Sequence, residues 1–307
     1  MTPETRFTVK SAVLSIVALA SLVMAALIGI GVYSQNVQET LHAKVRPNEQ
    51  LVLALDNLEI GFLQARRAEK DFLLRKDQKY LGRHAGVMEE MAAGLGEAEG
   101  LMQQGGLLDA AELEAFEAAL EHYKRAFAAL AGSHKVLGLD EESGLQGELR
   151  AAVHEIETSL KELNQPEMQV KMLMMRRHEK DFIMRGAPKY LDRLNARVEE
   201  FRAFPESYYA DSAQQQEILS KLEIYQSAFA AYVRETLSET ELRKSLSQKY
   251  AEAGPILNGL REAAKTELEA LNAASDAAGH AAQRQSLIAG LGGMALFVLI
   301  ALRLALA

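Results

Sequence analysis

Apolar residues recur at three- and four-residue intervals along most of the chain, which is the spacing of an amphipathic α-helix. One such stripe consists of Leu55, Leu58, Phe62, Ala65, Glu69 and Phe72. The same spacing returns farther along at Met168, Met172, Met175, Glu179 and Phe182. The stripes predict long helices with one buried face. They also place two glutamates, Glu69 and Glu179, among the apolar residues of that face.

Glycine and proline divide this pattern into seven predicted helical segments. The first three are a helix over 35–76, a helix over 78–104, and a helix from an N-cap at Asp109 to about 137. A helix over 145–185 is expected to kink or restart at Pro166. Another segment lies between a turn at 186–188 and a break at 204–207. Beyond that break, helices are predicted over 211–250 and from 256 onward. The Gly254-Pro255 break between these two is expected to be a kink rather than a reversal, since a region anchored in a membrane at both ends makes an even number of passes.

Two uncharged or nearly uncharged runs lie near the ends of the chain. Ser11–Tyr33 contains no charged residue, and a helix of that length rises about 35 Å, enough to cross a bilayer. Arg6 and Lys10 precede it, which predicts a cytoplasmic N-terminus. Leu287–Ala307 is the second run, and its glycines, Gly290, Gly292 and Gly293, would permit close helix contact. The sequence therefore predicts two transmembrane helices around an external region.

An internal repeat lies between these runs. Arg66-Arg-Ala-Glu-Lys-Asp-Phe-Leu-Leu-Arg75 is followed by Lys-Tyr-Leu at 79–81, and Arg176-Arg-His-Glu-Lys-Asp-Phe-Ile-Met-Arg185 by Lys-Tyr-Leu at 189–191. The second copy starts 110 residues after the first, and 10 of 16 aligned positions are identical. Tyr-x-x-Ala-Phe-Ala-Ala also occurs twice, from Tyr123 and from Tyr225. The repeat predicts duplicated structural units.

Composition excludes several classes of function. The 307 residues contain no cysteine, which excludes disulfides and thiolate chemistry, and the net charge of −8 argues against a nucleic-acid partner. No phosphate loop, nucleophile motif or metal-ligand spacing occurs, so neither an enzyme nor a metal site nor a cofactor is expected. The methionines at 172, 174 and 175 are interpreted as core residues. The tyrosines at 208, 209, 225 and 232 are interpreted mainly as packing residues.

The repeated motif has two interpretations. A buried Glu69 or Glu179 needs a cation, and the arginine three residues earlier can reach it. Arginine and aspartate four residues apart can pair on the outer face, which would make Glu69, Asp71, Glu179 and Asp181 members of structural ion pairs. Alternatively, guanidinium groups bind an anionic ligand through paired hydrogen bonds. The candidate ligand-binding residues are Arg66, Arg67, Arg176 and Arg177.

The helical phase leaves a further alternative open. Leu63, Arg67, Lys70 and Leu74 also share one face of the first long helix. An exposed face of this kind can be the seam of a homodimer.

These features together resemble the helical bimodular sensor domain of bacterial methyl-accepting chemotaxis receptors and some sensor histidine kinases. The resemblance rests on the two apolar runs, the repeated Arg-Arg-x-Glu-Lys-Asp-Phe…Lys-Tyr-Leu and the Gly-Leu-Gln-Gly-Glu-Leu-Arg segment at 144–150. It implies an all-α, elongated bundle of two stacked four-helix modules, and a homodimer. Related chemoreceptors often bind small organic acids, whereas a related kinase docks a periplasmic binding protein.

We therefore expect a cytoplasmic N-terminus at 1–10, transmembrane helices at 11–33 and 286–307, and a periplasmic ligand-binding domain at 34–285 in the bacterial inner membrane. The repeat copies would span about 35–144 and 145–255. The expected function is a chemoreceptor sensor region that binds a small anionic ligand, such as an organic acid, and signals to a cytoplasmic domain or kinase not present in this chain. The alternatives are the input domain of a sensor histidine kinase and a ligand-free membrane-anchored structural protein.

Overall fold

The computed structural model describes residues 9–105 and 110–305. The helices in these residues are α1 (Val9–Arg75), α2 (Lys79–Gly105), α3 (Ala110–Leu137), α4 (Gly144–Leu163), α5 (Pro166–Arg185), α6 (Lys189–Arg202) and α7 (Ser212–Ala305). Apart from one 3₁₀ turn at Glu206–Tyr208, they are the regular structure of the described ranges, which contain no strand. The chain is an all-α helical bundle, as predicted. Arg6 and the expected N-cap at Asp109 lie outside the described residues.

The segment 145–185, predicted as a helix with a kink or restart at Pro166, forms two helices. Asn164 ends α4 in the left-handed conformation, with φ of 50°. Pro166 occupies the first turn of α5, where its missing N–H leaves no helical hydrogen bond unmade. The restart considered for Pro166 is therefore the observed arrangement.

The break at Gly254-Pro255 does not reverse the chain, because α7 continues through both residues. Proline is also accommodated inside α1, at Pro47. Each proline removes one backbone N–H donor from a helix of more than 60 residues. The helix continues because the segments before and after the proline are long and packed.

Two of the helices, α1 and α7, are long and apolar enough to cross a membrane. The most apolar window of each helix has no buried residue, unlike a core helix of a soluble protein. A Cβ added to Gly293 would stand 2.7 Å from Val23, so this glycine permits close approach of the two apolar segments. Within the described part of the chain, Gly290 and Gly292 have no neighbour this close, and of the three glycines only Gly293 shows the expected close contact.

Two compact units make up the fold. The first unit comprises Met1–Leu58, Ala93–Leu113 and Asn258–Ala307. Its core contains Leu51, Leu55, Ala98, Leu101, Leu260 and Ala264. Within it, Arg261 donates two hydrogen bonds to Asp56, of 2.6 and 2.8 Å.

The second unit comprises Glu59–Ala92 and Glu114–Leu257, and it contains both copies of the repeated motif. Every residue of the two predicted stripes is buried, including Glu69 and Glu179. The face with Leu63, Arg67, Lys70 and Leu74 is exposed. The stripe that contains Glu69 is therefore the buried face of α1, as predicted. The face that contains Leu63 and Arg67 is exposed and can make another contact.

Candidate functional site

Glu69 is buried on α1 and receives its charge partner from the same helix. Nη1 of Arg66 lies 2.6 Å from both carboxylate oxygens. Lys70 adds a contact of 3.1 Å from Nζ to Oε1. The arginine side chain is 20% exposed, whereas the glutamate side chain is fully buried. The predicted ion pair is confirmed, and it offsets the cost of removing a carboxylate from water.

A tyrosine on another helix completes the site. The hydroxyl of Tyr123, on α3, donates a 2.9 Å hydrogen bond to Oε2 of Glu69. Burial raises the pKa of Tyr123 well above its usual value, and the neighbouring Glu69 charge raises it further. The phenol therefore stays protonated and remains a donor. This contact links the motif helix to α3.

The second copy repeats the arrangement around Glu179 on α5. Arg176 donates to Oε2 of Glu179, and Tyr225 on α7 donates a 2.9 Å hydrogen bond to the same oxygen. Lys180 lies 3.6 Å from Oε1. Burial raises the pKa of Tyr225 well above its usual value, with Glu179 adding to the effect. Both copies thus contain the same buried Arg–Glu–Tyr triplet.

The hydrogen bonds of Tyr123 and Tyr225 to the motif glutamates were not predicted from the sequence, where Tyr225 was interpreted mainly as a packing residue. The signal that identifies these tyrosines is the second repeated segment, in which Tyr123 and Tyr225 hold equivalent positions. The duplicated Phe residues four positions later also pack on the motif phenylalanines. Phe72 meets Phe127 edge to face at 5.9 Å, and Phe182 meets Phe229 at 5.7 Å.

The aspartates of the motif do not have the arginine partners expected from the sequence. Asp71 pairs with Arg75 at 3.5 Å, and Asp181 pairs with Arg185 at 3.7 Å. An acidic residue four positions before a basic one is the more favourable helical orientation, which explains this choice over Arg67 and Arg177. Those two arginines are exposed and form no ion pair within 4.0 Å among the described residues.

The end of the motif forms the same corner twice. Lys76 and Gly186 have positive φ angles of 54° and 64°, and each backbone N–H donates a 2.7 Å hydrogen bond to the carbonyl of the motif phenylalanine. The tyrosines that follow, Tyr80 and Tyr190, are buried. The motif therefore specifies both a charged cluster and a helix end.

The two copies differ in what covers the arginine of the triplet. Arg66 lies 4.4 Å above the ring of Tyr250, which itself stacks on Phe62 at 4.4 Å. Cation–π contact and stacking therefore enclose Arg66 with aromatic rings. Among the described residues, no aromatic ring covers Arg176, which instead approaches Glu157, with 3.3 Å between Nε and Oε1.

A polar cavity of about 290 Å³ opens beside the second triplet. Its cationic lining residues are Arg150, Arg176 and Lys180, and its anionic ones are Glu141 and Glu179. Arg150 lies 3.1 Å from Glu141. Arg150 and Arg176 present guanidinium groups at this cavity, and each of them is paired with a carboxylate. Of the four candidate arginines, the structure places Arg176 at this cavity.

The remaining candidate residues have mixed outcomes. Met172 and Met175 are buried, as expected, but Met174 is 41% exposed and is not a core residue. Tyr209 and Tyr225 are buried, and Tyr232 lines the polar cavity. Among the described residues, no group of three or more histidine, aspartate or glutamate side chains is placed to hold a metal ion.

Comparisons with protein-family models, curated proteins and solved structures found no match to this chain. The geometry of the triplets, the cavity and the two apolar helices is therefore the basis for a functional proposal.

Proposed function

We propose that this chain is the sensor region of a bacterial transmembrane chemoreceptor that binds a small organic acid outside the inner membrane. The single observation that carries the proposal is the polar cavity beside Arg176. A motif with a purely structural role needs no opening at its ion pair. Arg150 and Arg176 in the cavity wall supply guanidinium groups, which bind carboxylates through parallel hydrogen bonds, and Lys180 adds an ammonium group.

Glu141 and Glu179 are the present ion-pair partners of the two arginines at this cavity, and a ligand carboxylate could replace them. In the present arrangement Arg150 and Arg176 are held by these carboxylates. A dicarboxylate that enters the cavity competes for the same arginine donors, so binding shifts the ion pairs rather than filling an inert space. Glu179 is also bonded to Tyr225 on α7. The ligand thus acts on the helix that contains the second apolar run, and a two-state change in that helix is the proposed signal.

Support for a transmembrane role comes from helix continuity. The first apolar run and the Arg66 motif belong to one helix, α1. The residues from Tyr225 to the second apolar run likewise belong to α7. No loop interrupts either helix between the site and the apolar run. A displacement of the helix at an external site can therefore be transmitted directly to the membrane span. In this proposal the N-terminus is cytoplasmic and the region between the runs is periplasmic.

We also propose that the receptor is a homodimer. Exposed residues repeat the three- and four-residue spacing of a coiled-coil seam in both copies of the motif. In the first copy they are Ile60, Leu63, Arg67, Lys70 and Leu74, and in the second Val170, Leu173, Arg177, Lys180 and Met184. Leu74 is 80% exposed in the single chain. Arg67 and Arg177 are proposed to lie in this seam.

The test of ligand binding is a thermal-melt screen of the full chain in detergent with succinate, malate and citrate, compared with uncharged esters. A ligand at 100 times its dissociation constant stabilises the folded state by about 2.7 kcal/mol. We expect a carboxylate-dependent shift that Arg176→Gln abolishes. Arg177→Gln is the matched control, since its exposed side chain lies next in sequence and outside the cavity, and it should keep the shift. Loss of the shift in both variants, or no shift in the wild type, would contradict the proposal.

The homodimer has a separate test by analytical ultracentrifugation in detergent. Leu63→Gln combined with Leu173→Gln should favour the monomer. A matched pair of exposed substitutions outside the seam, Glu114→Gln and Glu217→Gln, should leave the association unchanged. A wild-type chain that is monomeric at all accessible concentrations would exclude the seam.

A structural role without ligand is the second candidate function. It is favoured by the first triplet, in which Arg66, Glu69 and Tyr123 satisfy one another and Tyr250 covers the arginine. In that case Arg66→Gln and Arg176→Gln lower stability equally and no carboxylate changes the melting temperature.

A further inference from the structure

A second cavity, of about 460 Å³, lies between α2 and α3 in the first copy of the repeat. Its wall is mainly apolar and includes Met88, Phe127 and several alanines. His84 also lines it, although this side chain is only 3% exposed. An apolar cavity of this size with few polar groups is typical of a small-molecule site.

His84 has a hydrogen-bonding capacity that the described part of the chain does not use. Its Nε2 is buried and has no hydrogen-bond partner there. The ring packs on Phe127 at 4.1 Å and lies 5.6 Å from Tyr123. Burial lowers the pKa of His84 to about 4, against a raising effect of Glu69 and a further lowering by Lys124, so the imidazole is neutral at pH 7. Buried polar atoms are rarely left unpaired, and a ligand group is one way to satisfy this one.

The second copy of the repeat is a natural comparison, because it lacks this polar group. The position equivalent to His84 is Leu194, which is fully buried in an apolar cluster. The positions equivalent to Ala85 and Lys124 are Asn195 and Gln226, and these two side chains form a 2.9 Å hydrogen bond. That bond ties α6 to α7 where the first copy has an opening.

Other cavity positions are also smaller in the first copy. Ala92, Ala131 and Gly132 line the cavity, and their equivalents are Arg202, Val233 and Arg234. The opening therefore combines small side chains with an unpaired buried imidazole. Neither feature is needed by the fold, since the second copy builds the same triplet without them.

The charged groups at the cavity define the ligand. Lys124 and Lys135 are exposed lining residues, and Glu89 is the exposed carboxylate among them. Lys124 also lies 3.0 Å from Glu121, an exposed and readily exchanged contact. Lys135 forms no ion pair within 4.0 Å in the described ranges. The rim thus attracts one negative charge, while the interior accepts an apolar body and offers one hydrogen-bonding group.

We propose that this cavity binds a small amphipathic monocarboxylate. Its carboxylate would lie at Lys124 and Lys135, its apolar body against Met88 and Phe127, and a hydroxyl group on Nε2 of His84. This inference is independent of the organic-acid site beside Arg176, since the two cavities have no lining residue in common.

The experiment is a calorimetric titration of the full chain in detergent with 4-hydroxybenzoate and benzoate. We expect the wild type to bind 4-hydroxybenzoate more tightly than benzoate. His84→Leu introduces the residue of the second copy and should remove this preference, weakening 4-hydroxybenzoate at least tenfold. The double variant Ala85→Asn/Lys124→Gln introduces the closing hydrogen bond of the second copy and should abolish binding of both compounds.

Arg176→Gln is the control that separates the two sites, and it should leave the affinity for 4-hydroxybenzoate unchanged. The two substitutions in the double variant are at exposed positions, so that variant remains informative if His84→Leu folds poorly; helix content by circular dichroism checks both. The proposal is overturned if the wild type does not bind at millimolar concentration. It is also overturned if the double variant binds as the wild type does.

Discussion

The hydroxyl of Tyr123 lies 2.9 Å from the carboxylate of Glu69, although 54 residues separate them in the chain. Arg66 reaches the same carboxylate from one helical turn away. A local pair thus becomes a tertiary contact between α1 and α3. The same relationship between Tyr225 and Glu179 joins α5 to α7.

Removal of either hydroxyl should be costly. Tyr123→Phe and Tyr225→Phe each take a donor from a buried carboxylate, and hydrogen bonds to charged groups contribute about 1.5–3 kcal/mol. We expect losses of that size in the free energy of unfolding, measured by denaturant titration of the detergent-solubilised chain. Tyr208→Phe is the control: its hydroxyl bonds Glu167 at an exposed position, and the loss should stay below about 0.5 kcal/mol. Equal effects of all three changes would show that burial does not set the cost.

Neighbouring arginines of the motif should differ in their effect on stability. Arg66→Gln leaves Glu69 buried with a weaker set of partners, and breaking a buried pair costs about 3–5 kcal/mol. The remaining contacts from Lys70 and Tyr123 place the expected loss at the lower end of this range. Arg67→Gln alters an exposed side chain and should change stability by less than about 0.5 kcal/mol. Thermal and denaturant unfolding of the two variants makes the comparison, and a large loss in Arg67→Gln under monomeric conditions would contradict it.

The two helix ends offer a test of backbone conformation. Gly186 and Lys76 have φ of 64° and 54°, a conformation that costs a residue with a Cβ about 1–2 kcal/mol. A Cβ on Gly186 meets no neighbour within 4 Å, so Gly186→Ala should show this backbone cost alone. Lys76→Gly relieves the strain but increases the freedom of the unfolded chain, for a net gain of up to about 1 kcal/mol. We expect denaturant unfolding to show a lower free energy of unfolding for Gly186→Ala and a higher one for Lys76→Gly. Changes of the same sign would contradict the left-handed geometry that the two helix ends share.

Stability should depend on the protonation of His84. Its folded pKa of about 4 lies below the unfolded value of 6.5, because burial disfavours the charged ring. Between pH 4 and 6.5 the His84 ring is therefore protonated in the unfolded chain and neutral in the folded chain. The contribution of the neutral His84 to the free energy of unfolding is present above pH 6.5 and is lost as pH falls toward 4. The loss is about 3 kcal/mol. The measurement is the free energy of unfolding of the wild type and of His84→Leu at pH 7 and pH 4. The change in their difference between the two pH values reports on His84, since the other titratable groups are present in both chains. An unchanged difference between the chains at the two pH values would exclude it.

Much of this architecture is determined by local sequence. The apolar spacing around Glu69 and Glu179 places both on the buried face, because a helix brings every third or fourth residue to one side. The same geometry determines the pairing of each glutamate with the arginine three residues earlier. Glycine and proline predicted most helix boundaries, including the restart at Pro166, but the boundary predicted at Gly254-Pro255 is absent because α7 continues through it. The partners of Asp71 and Asp181 were predicted incorrectly. Each aspartate has one arginine four residues before it and one four residues after it, and the arginine that follows is the more favourable partner in a helix.

The helical class, the two apolar runs, the repeat and the buried Arg–Glu pairs can be predicted from the order and spacing of residues along the chain. That Tyr123 and Tyr225 complete those pairs is seen only when the helices are packed together. The tertiary structure also decided that Tyr250 covers Arg66 while Arg176 borders a polar cavity, and that an opening forms at His84 and not at Leu194. These features depend on which side chains from separate helices meet and on the volumes they leave between them, and no spacing within a single helix contains that information.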